Sequence, residues 1–324
     1  MDFLAQYGLF ALKALTSVIA ILLLFAGLLA IGKKTKPKLE ITPLNKQYDE
    51  LKQRMHQEIK GKKQEKDKRS KKAKKSLKDR PSLYVLDFIG DIRASQVEQL
   101  REVVTAVLSI AQKNDEVVLR LESPGGSVNG YGLAASQLQR IRDRQIPLTV
   151  CIDKVAASGG YLMSCVANRI VAAPFAVIGS IGVVAQLPNF HRWLQKNNID
   201  VELITAGEYK RTLTMLGENT EKGRKKFQEE IEKIHQTFRD YVFVHRQQLD
   251  IDKVSTGEHW LATDAYDLKL VDYLKTSDDY VIEKMNDFNV FKVSKPSKPS
   301  LSEKLFKPAV NLLDNLKNDY LSKH

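Results

Sequence analysis

Three short stretches carry residues whose types and spacing could do nucleophilic chemistry. The first is Val155-Ala156-Ala157-Ser158-Gly159-Gly160-Tyr161. It follows an apolar, β-rich segment, Pro147 to Ile152, and precedes a segment able to form a helix, Tyr161 to Ala167. A serine held on a tight turn between a strand exit and a helix start exposes its hydroxyl where anionic oxygen is favoured, as a nucleophile requires. On this stretch alone, a serine N-cap ahead of a glycine turn is the commoner reading. The second stretch runs from Val117 to Val128, an apolar strand leading into Ser123-Pro124-Gly125-Gly126 and then a helix. Glycines there let backbone N–H groups come close to a substrate. The third is Ala206-Gly207-Glu208-Tyr209-Lys210-Arg211, a lysine after a predicted strand over Val201 to Thr205.

A serine hydroxyl is a weak nucleophile and needs a base. Histidine is the usual one, and the chain has six. His56 and His324 fall outside the expected domain. His235 and His245 lie on a long polar helix and are expected to be exposed. His191 follows Asn189 in an apolar neighbourhood, and His259 sits beside Trp260 at a packed turn. None has a triad setting. A lysine can serve instead where burial among apolar groups penalises its ammonium form.

Taken together and in this order, the three stretches resemble the signal peptide peptidase family of membrane serine proteases, over roughly Leu83 to Leu274. The resemblance implies a ClpP/crotonase-like α/β fold of stacked ββα units and a Ser–Lys dyad. Carried onto this chain, it implies Ser158 as nucleophile and Lys210, in Gly-Glu-Tyr-Lys, as general base. Glu208 and Arg211 must then point elsewhere. Ser180, in Gly179-Ser180-Ile181-Gly182, matches a serine that orients the lysine amine; a turn serine between glycines reads the same way. The oxyanion hole is expected from the backbone N–H groups of Ser158 and Gly126, with Gly125 permitting the turn. The resemblance also implies short, extended, apolar peptides as substrates, such as released signal peptides or damaged membrane proteins, and a homo-oligomeric ring. It calls for no metal or cofactor. Two other readings compete: a catalytically silent scaffold that binds apolar segments, and an acyl-CoA enzyme on the related crotonase fold, which would leave the lysine without a role.

These residues need a frame. Strands are predicted at Leu83 to Phe88, Glu116 to Leu121, Leu148 to Ile152, Asn168 to Ala172, Ile181 to Ala185 and Val201 to Thr205. Helices are predicted from Ser95 through Gln112, over Gly130 to Gln145, Phe190 to Asn197 and Thr220 to Leu249. The first has Val97, Leu100, Val104, Leu108 and Ala111 on one face. Alternating strands and helices make an α/β domain over 82–290. In Ser255 to Asp272, Lys269 stands where the family pattern has glycine, which bears on how the local helix ends.

The remaining parts read as attachments. Leu9 to Ile31 is almost wholly apolar and long enough to cross a bilayer, so 1–32 is predicted to be an uncleaved anchor. The apolar region Tyr161 to Leu187 is not a second span, because Asn168, Arg169, Pro174, Gly179 and Gly182 interrupt it. The net charge of +12 is concentrated outside the domain. Lys60 to Arg80 holds 12 Lys and Arg against Glu65, Asp67 and Asp79. No basic stripe with interleaved aromatics points to nucleic acid, and contact with anionic lipid headgroups is the economical reading. Residues 33–81 read as a lysine-rich tether, with a short amphipathic helix possible at Leu51, Met55 and Ile59. Residues 291–324 read as a linker followed by an amphipathic helix opened by Ser300 and Glu303. Cys151 and Cys165 are expected as packed thiols. The expected location is the bacterial inner membrane. The lysines at 33, 34, 36, 38 and 46 follow the span and none precedes it before Leu9, which by the positive-inside rule puts the domain in the cytoplasm. The family resemblance implies the periplasmic side.

Overall fold

The computed structural model describes residues 2–32, 38–60 and 80–295. In chain order the elements are α1 (Asp2–Gly32), β1 (Glu40–Pro43), α2 (Leu44–Lys60), β2 (Ser82–Ile89), α3 (Val97–Leu108), β3 (Glu116–Glu122), α4 (Val128–Asp143), β4 (Leu148–Ile152), β5 (Val155–Ala157) and α5 (Gly159–Ser164). They continue with β6 (Arg169–Ala172), β7 (Val177–Gly179), α6 (His191–Lys196), α7 (Glu221–His245), α8 (Ile251–Val254), β8 (His259–Leu261), α9 (Ala262–Asp267), β9 (Tyr273–Leu274), α10 (Ser277–Lys284) and β10 (Asn289–Ser294). Glu40–Ser294 forms one compact unit, and α1 belongs to another. Side chains of α1 are described for residues 6–21, and among the described residues no helix is long and apolar enough to cross a membrane.

The larger sheet has the order β1-β10-β2-β3-β4-β6-β9, and every pair within it is parallel except β1 with β10. Its interior strand β4, Leu-Thr-Val-Cys-Ile, is buried at every position. Such an unbroken run fits a parallel strand covered on both faces. One face packs under α3 and α4. In α3 the buried residues are Leu100, Val103, Val104, Val107 and Leu108, an apolar stripe of helical period. The other face carries Leu83, Val85, Val118, Cys151, Val171 and Val290, closed by Tyr280 and Val281 of α10 with Leu44 of α2 alongside. Both cysteines are free and buried. A smaller sheet, β5-β7-β8, stands beside the larger one and is joined to it by a bridge between Ser123 and Ala156.

Several expectations are corrected here. The first part of 33–81 is not a tether. β1 pairs antiparallel with β10, and Asn45 at the start of α2 bonds Met285 O, Phe288 O and Val290 N. A strand too short and polar to announce itself is ordered by the exposed edge of β10. The domain therefore runs beyond 290, because Phe291 to Ser294 is strand, not linker. The predicted helix at Ser300 and Glu303, and the lysine-rich residues 61–79, lie outside the described residues. Neither Val201 to Thr205 nor Ile181 to Ala185 forms a strand; the partner of β5 is β7. The helix at 95–112 starts at Val97 with no side-chain cap. The long helix ends at His245, short of Leu249, and opens on Thr220, whose hydroxyl accepts from Gly223 N at 3.1 Å.

The departure at Lys269 has a local answer. Lys269 takes φ 63, and the amides of Lys269 and Leu270 donate to Tyr266 O and Ala265 O. The helix end keeps its left-handed residue without glycine, at a cost of about 1 kcal/mol. Buried Arg246 supports the same corner, donating to Lys269 O at 2.9 Å and to both oxygens of Asp272.

Candidate active site

Ser158 sits between β5 and α5 at the floor of a cleft of about 1100 Å³. Its backbone is left-handed, φ 51 and ψ −116, a conformation costly for a residue with a Cβ. Three main-chain bonds hold it there. The Ser158 N–H donates to Gly179 O at 2.8 Å, Leu162 N–H donates to Ser158 O at 3.0 Å, and Ala157 N–H donates to Ser123 O at 3.0 Å. The half-buried side chain is not spent on capping α5.

The turn Pro124-Gly125-Gly126 abuts Ser158. A Cβ built on Gly125, where φ is 91, would lie 2.7 Å from both Gly159 N and Ser158 Cβ. A Cβ on Gly126 would overlap the Ile92 carbonyl. No side chain fits at either position, which is the physical reason for the paired glycines.

The amides expected to bind an oxyanion need correcting. The Ser158 N–H is committed to Gly179 O, and the Gly125 N–H donates to Ser123 Oγ at 3.1 Å. Among the described residues, the Gly126 and Gly159 N–H groups have no acceptor. These two flank Ser158 and are the available pair. Gly159 could have been found from the sequence: it is the first residue of the helix after the serine, and first-turn amides have no intrahelical acceptor.

Ser180 lines the same cleft, also left-handed at φ 53, with its N–H donating to Glu258 O at 2.6 Å. Lys210 does not line it. The lysine is exposed, in a turn closed by a 3.2 Å bond from its N–H to Gly207 O. That turn is clasped to α7: Glu208 pairs with Lys222 at 2.5 Å, and the Tyr209 ring lies under the ammonium groups of Lys222 and Lys226 at 5.9 and 5.3 Å. The Glu208 carboxylate is thus engaged with α7. The structure brings Ser158, Ser180, Gly125 and Gly126 together and leaves Lys210 outside.

His235 is not free on a solvated face. It lines the cleft, with Nε2 3.3 Å from Ile181 O. His245 is half-buried between Tyr241 O and Gln139 Oε1, each at 2.8 Å. The polar composition of α7 hid this, because the helix covers a cleft whose walls are themselves partly polar. Burial pushes the Tyr241 phenol on the same wall up to about 12, so it stays protonated.

The chain matches the model described as Peptidase family S49 N-terminal over residues 2–138 and Peptidase family S49 over residues 140–290. It is 48% identical to Probable protease SohB of Haemophilus influenzae, over 99% of this chain and 97% of that one. It is 29% identical to Protease 4 of the same organism, over 51% of this chain and 27% of that one. A solved structure of the 1510-N membrane-bound stomatin-specific protease aligns at 15% identity and TM-score 0.44, over 72% of this chain and 99% of that one. A near-full-length relative at this identity and two adjoining family matches leave one conclusion: the chain belongs to peptidase family S49.

Proposed function

We propose that the chain is a membrane-anchored serine endopeptidase, with Ser158 as nucleophile and Lys210 as base, on a ClpP/crotonase-like fold. The observation that carries this reading is Ser158 itself, held left-handed at the floor of a cleft between two unpaired backbone N–H groups. The Ser158 hydroxyl adds to the peptide carbonyl and gives its proton to the Lys210 amine. The oxyanion accepts from Gly126 and Gly159, two fixed donors of a kind worth roughly 10²–10³-fold each in rate. Collapse expels the amine, which takes the proton back from the lysine, and water then releases the acyl group by the same route. Ser180 orients the lysine amine.

Lys210 must reach this cleft. A second copy in a ring is the economical means, because the stretch bearing Lys210 also exposes Val184, Trp193 and Ile204. Apolar surface of that kind is covered in assemblies. The apolar run Leu9 to Ile31 supports a single-pass anchor in the inner membrane, and the lysines following it support a cytoplasmic domain. An active alkaline phosphatase fused after His324 would overturn that side. Substrates are proposed to be extended apolar peptides, including released signal peptides.

The test is labelling of Ser158 by a fluorophosphonate, together with the variants Ser158→Ala and Lys210→Ala. Both should lose peptidase activity, and Lys210→Ala should lose labelling. If the lysine comes from a second copy, mixing the two inactive variants restores part of the activity. The exposed position of Lys210 favours one rival, a silent peptide-binding scaffold, and a wild-type protein that is folded yet unlabelled and inactive would support it.

A further inference from the structure

We propose that Tyr131 is the positioning residue for the two amides that receive the oxyanion, a role that rests on the reading of Ser158 as nucleophile. Tyr131 belongs to α4 and is fully buried. Its ring lies directly against Gly159: a Cβ there would overlap Tyr131 Cγ and lie 2.7 Å from Cδ2. The ring thus fixes how deep the first residue of α5 can sit, and with it the Gly159 N–H.

The hydroxyl governs the other amide through a short chain of bonds. Tyr131 O–H donates to Asp91 O at 2.8 Å. Its one hydrogen is then used, so at the 2.5 Å contact with Ser123 the serine hydroxyl donates and the phenol oxygen accepts. Ser123 Oγ is left to accept, which it does from the Gly125 N–H at 3.1 Å. Every donor in the chain is used once. Burial pushes the Tyr131 phenol up, so the hydroxyl keeps the proton this arrangement needs. Gly90 completes the cradle, since a Cβ there would overlap both Tyr131 Oη and Ser123 Oγ. One side chain therefore sets the height of Gly159 with its ring and the turn at Gly125 and Gly126 with its hydroxyl. Tyr131 touches no reacting atom; it acts through the two glycine segments.

The experiment compares Tyr131→Phe, Ser123→Ala and the double variant with the full-length wild-type protein, using Ser158→Ala as control. Tyr131→Phe keeps the ring and frees the turn. Its kcat should fall about 10–100-fold with KM within about 3-fold, because only transition-state stabilisation is lost. Ser158 labelling by a fluorophosphonate should slow in parallel. Ser123→Ala should reproduce this, and the double variant should be no slower than about 3-fold beyond either single one, since both break one chain of bonds. Should Tyr131→Phe fail to fold, Ser123→Ala carries the test alone through the same split between kcat and KM. Unchanged kcat, a rise in KM with kcat preserved, or multiplicative losses in the double variant would overturn the proposal. An active Ser158→Ala would instead overturn the reading on which it rests, and the two failures are distinct.

Discussion

The backbone N–H of Ser158 donates to the carbonyl oxygen of Gly179 at 2.8 Å. This bond carries the β5–β7 pairing of the smaller sheet one residue further, because Ser158 follows β5 and Gly179 ends β7. It also commits the Ser158 amide, which leaves the Gly126 and Gly159 amides as the free donors beside it, the pair assigned to the oxyanion in the proposed reaction. The bond is wholly main-chain, so changing the side chain does not break it. Ser158→Ala should therefore keep the wild-type melting temperature to within about 2 °C while losing at least about 10³-fold in kcat. Paired calorimetry and peptide turnover check this; a variant that lost activity only by unfolding would speak against a chemical role.

The edge formed by β1 and the start of α2 separates two truncations. Removing residues 1–39 leaves the β1–β10 pairing and the three Asn45 bonds intact. Removing 1–80 bares the β10 edge, strips Leu44 from the second core face and leaves Phe288 O without its 3.2 Å donor. The shorter truncation should be soluble and melt near the full-length value. The longer one should melt several degrees lower or aggregate. Thermal unfolding and light scattering on the two proteins check it.

Legibility in the sequence followed how much each element determines itself. β2, β3 and β4 are apolar enough to declare themselves, and α3 and α4 follow by period. β1 was invisible because Glu40–Pro43 is a strand only by virtue of β10, some 250 residues later. Ser158, Gly125 and Gly126 could be read because a strand–turn–helix needs small residues at fixed places. The Gly159 amide could be inferred as a free first-turn donor, but that the Ser158 amide is occupied could not, since it depends on where the Gly179 carbonyl lies. Tyr131 was missed for the same reason. In sequence it is one aromatic residue on a helix, and only folding sets it against Gly159 and Ser123. Lys210 stands at the limit: its neighbours can be read, but the chain leaves it exposed and outside the Ser158 cleft.

Acid should act on the sheet face opposite α3. Burial would raise the Asp87 carboxyl, but hydrogen bonds and charges from Arg120 and Lys292 outweigh it and hold the group below the usual carboxylate range. Its Oδ1 accepts from Arg120 Nε at 2.6 Å, and its Oδ2 lies 2.8 Å from Lys292 Nζ. A depressed folded-state pKa contributes stability above the unfolded value, near 3.9, that is lost as pH falls through the folded one. Wild-type stability should thus decline below about pH 4. Asp87→Asn should be less stable at neutral pH and show a flatter acid limb. Urea unfolding from pH 7 to pH 2.5 measures both, and identical limbs would remove Asp87 from the account.

The clasp between the Lys210 turn and α7 gives the last prediction. Glu208 and Lys222 are both largely exposed, so their 2.5 Å pair contributes little to global stability. The same holds for Tyr209, which is 46% exposed beneath two ammonium groups. What these contacts do is fix where Gly207 to Lys210 lies, with Gly207 at φ 95 supplying the bend. Releasing the turn should therefore cost activity without costing stability. Tyr209→Ala and Lys222→Ala should each leave the melting temperature within about 1 °C of wild type. With Lys210 as the proposed base, each should lower kcat by about 5–50-fold, because a base displaced by an ångström is a poor one. Lys222→Arg keeps the ion pair and the cation over the ring, and should restore most of the rate. If both alanine variants turn over peptide at the wild-type rate, the clasp does not position Lys210; if they melt far lower, it is a structural brace rather than a setting for the base.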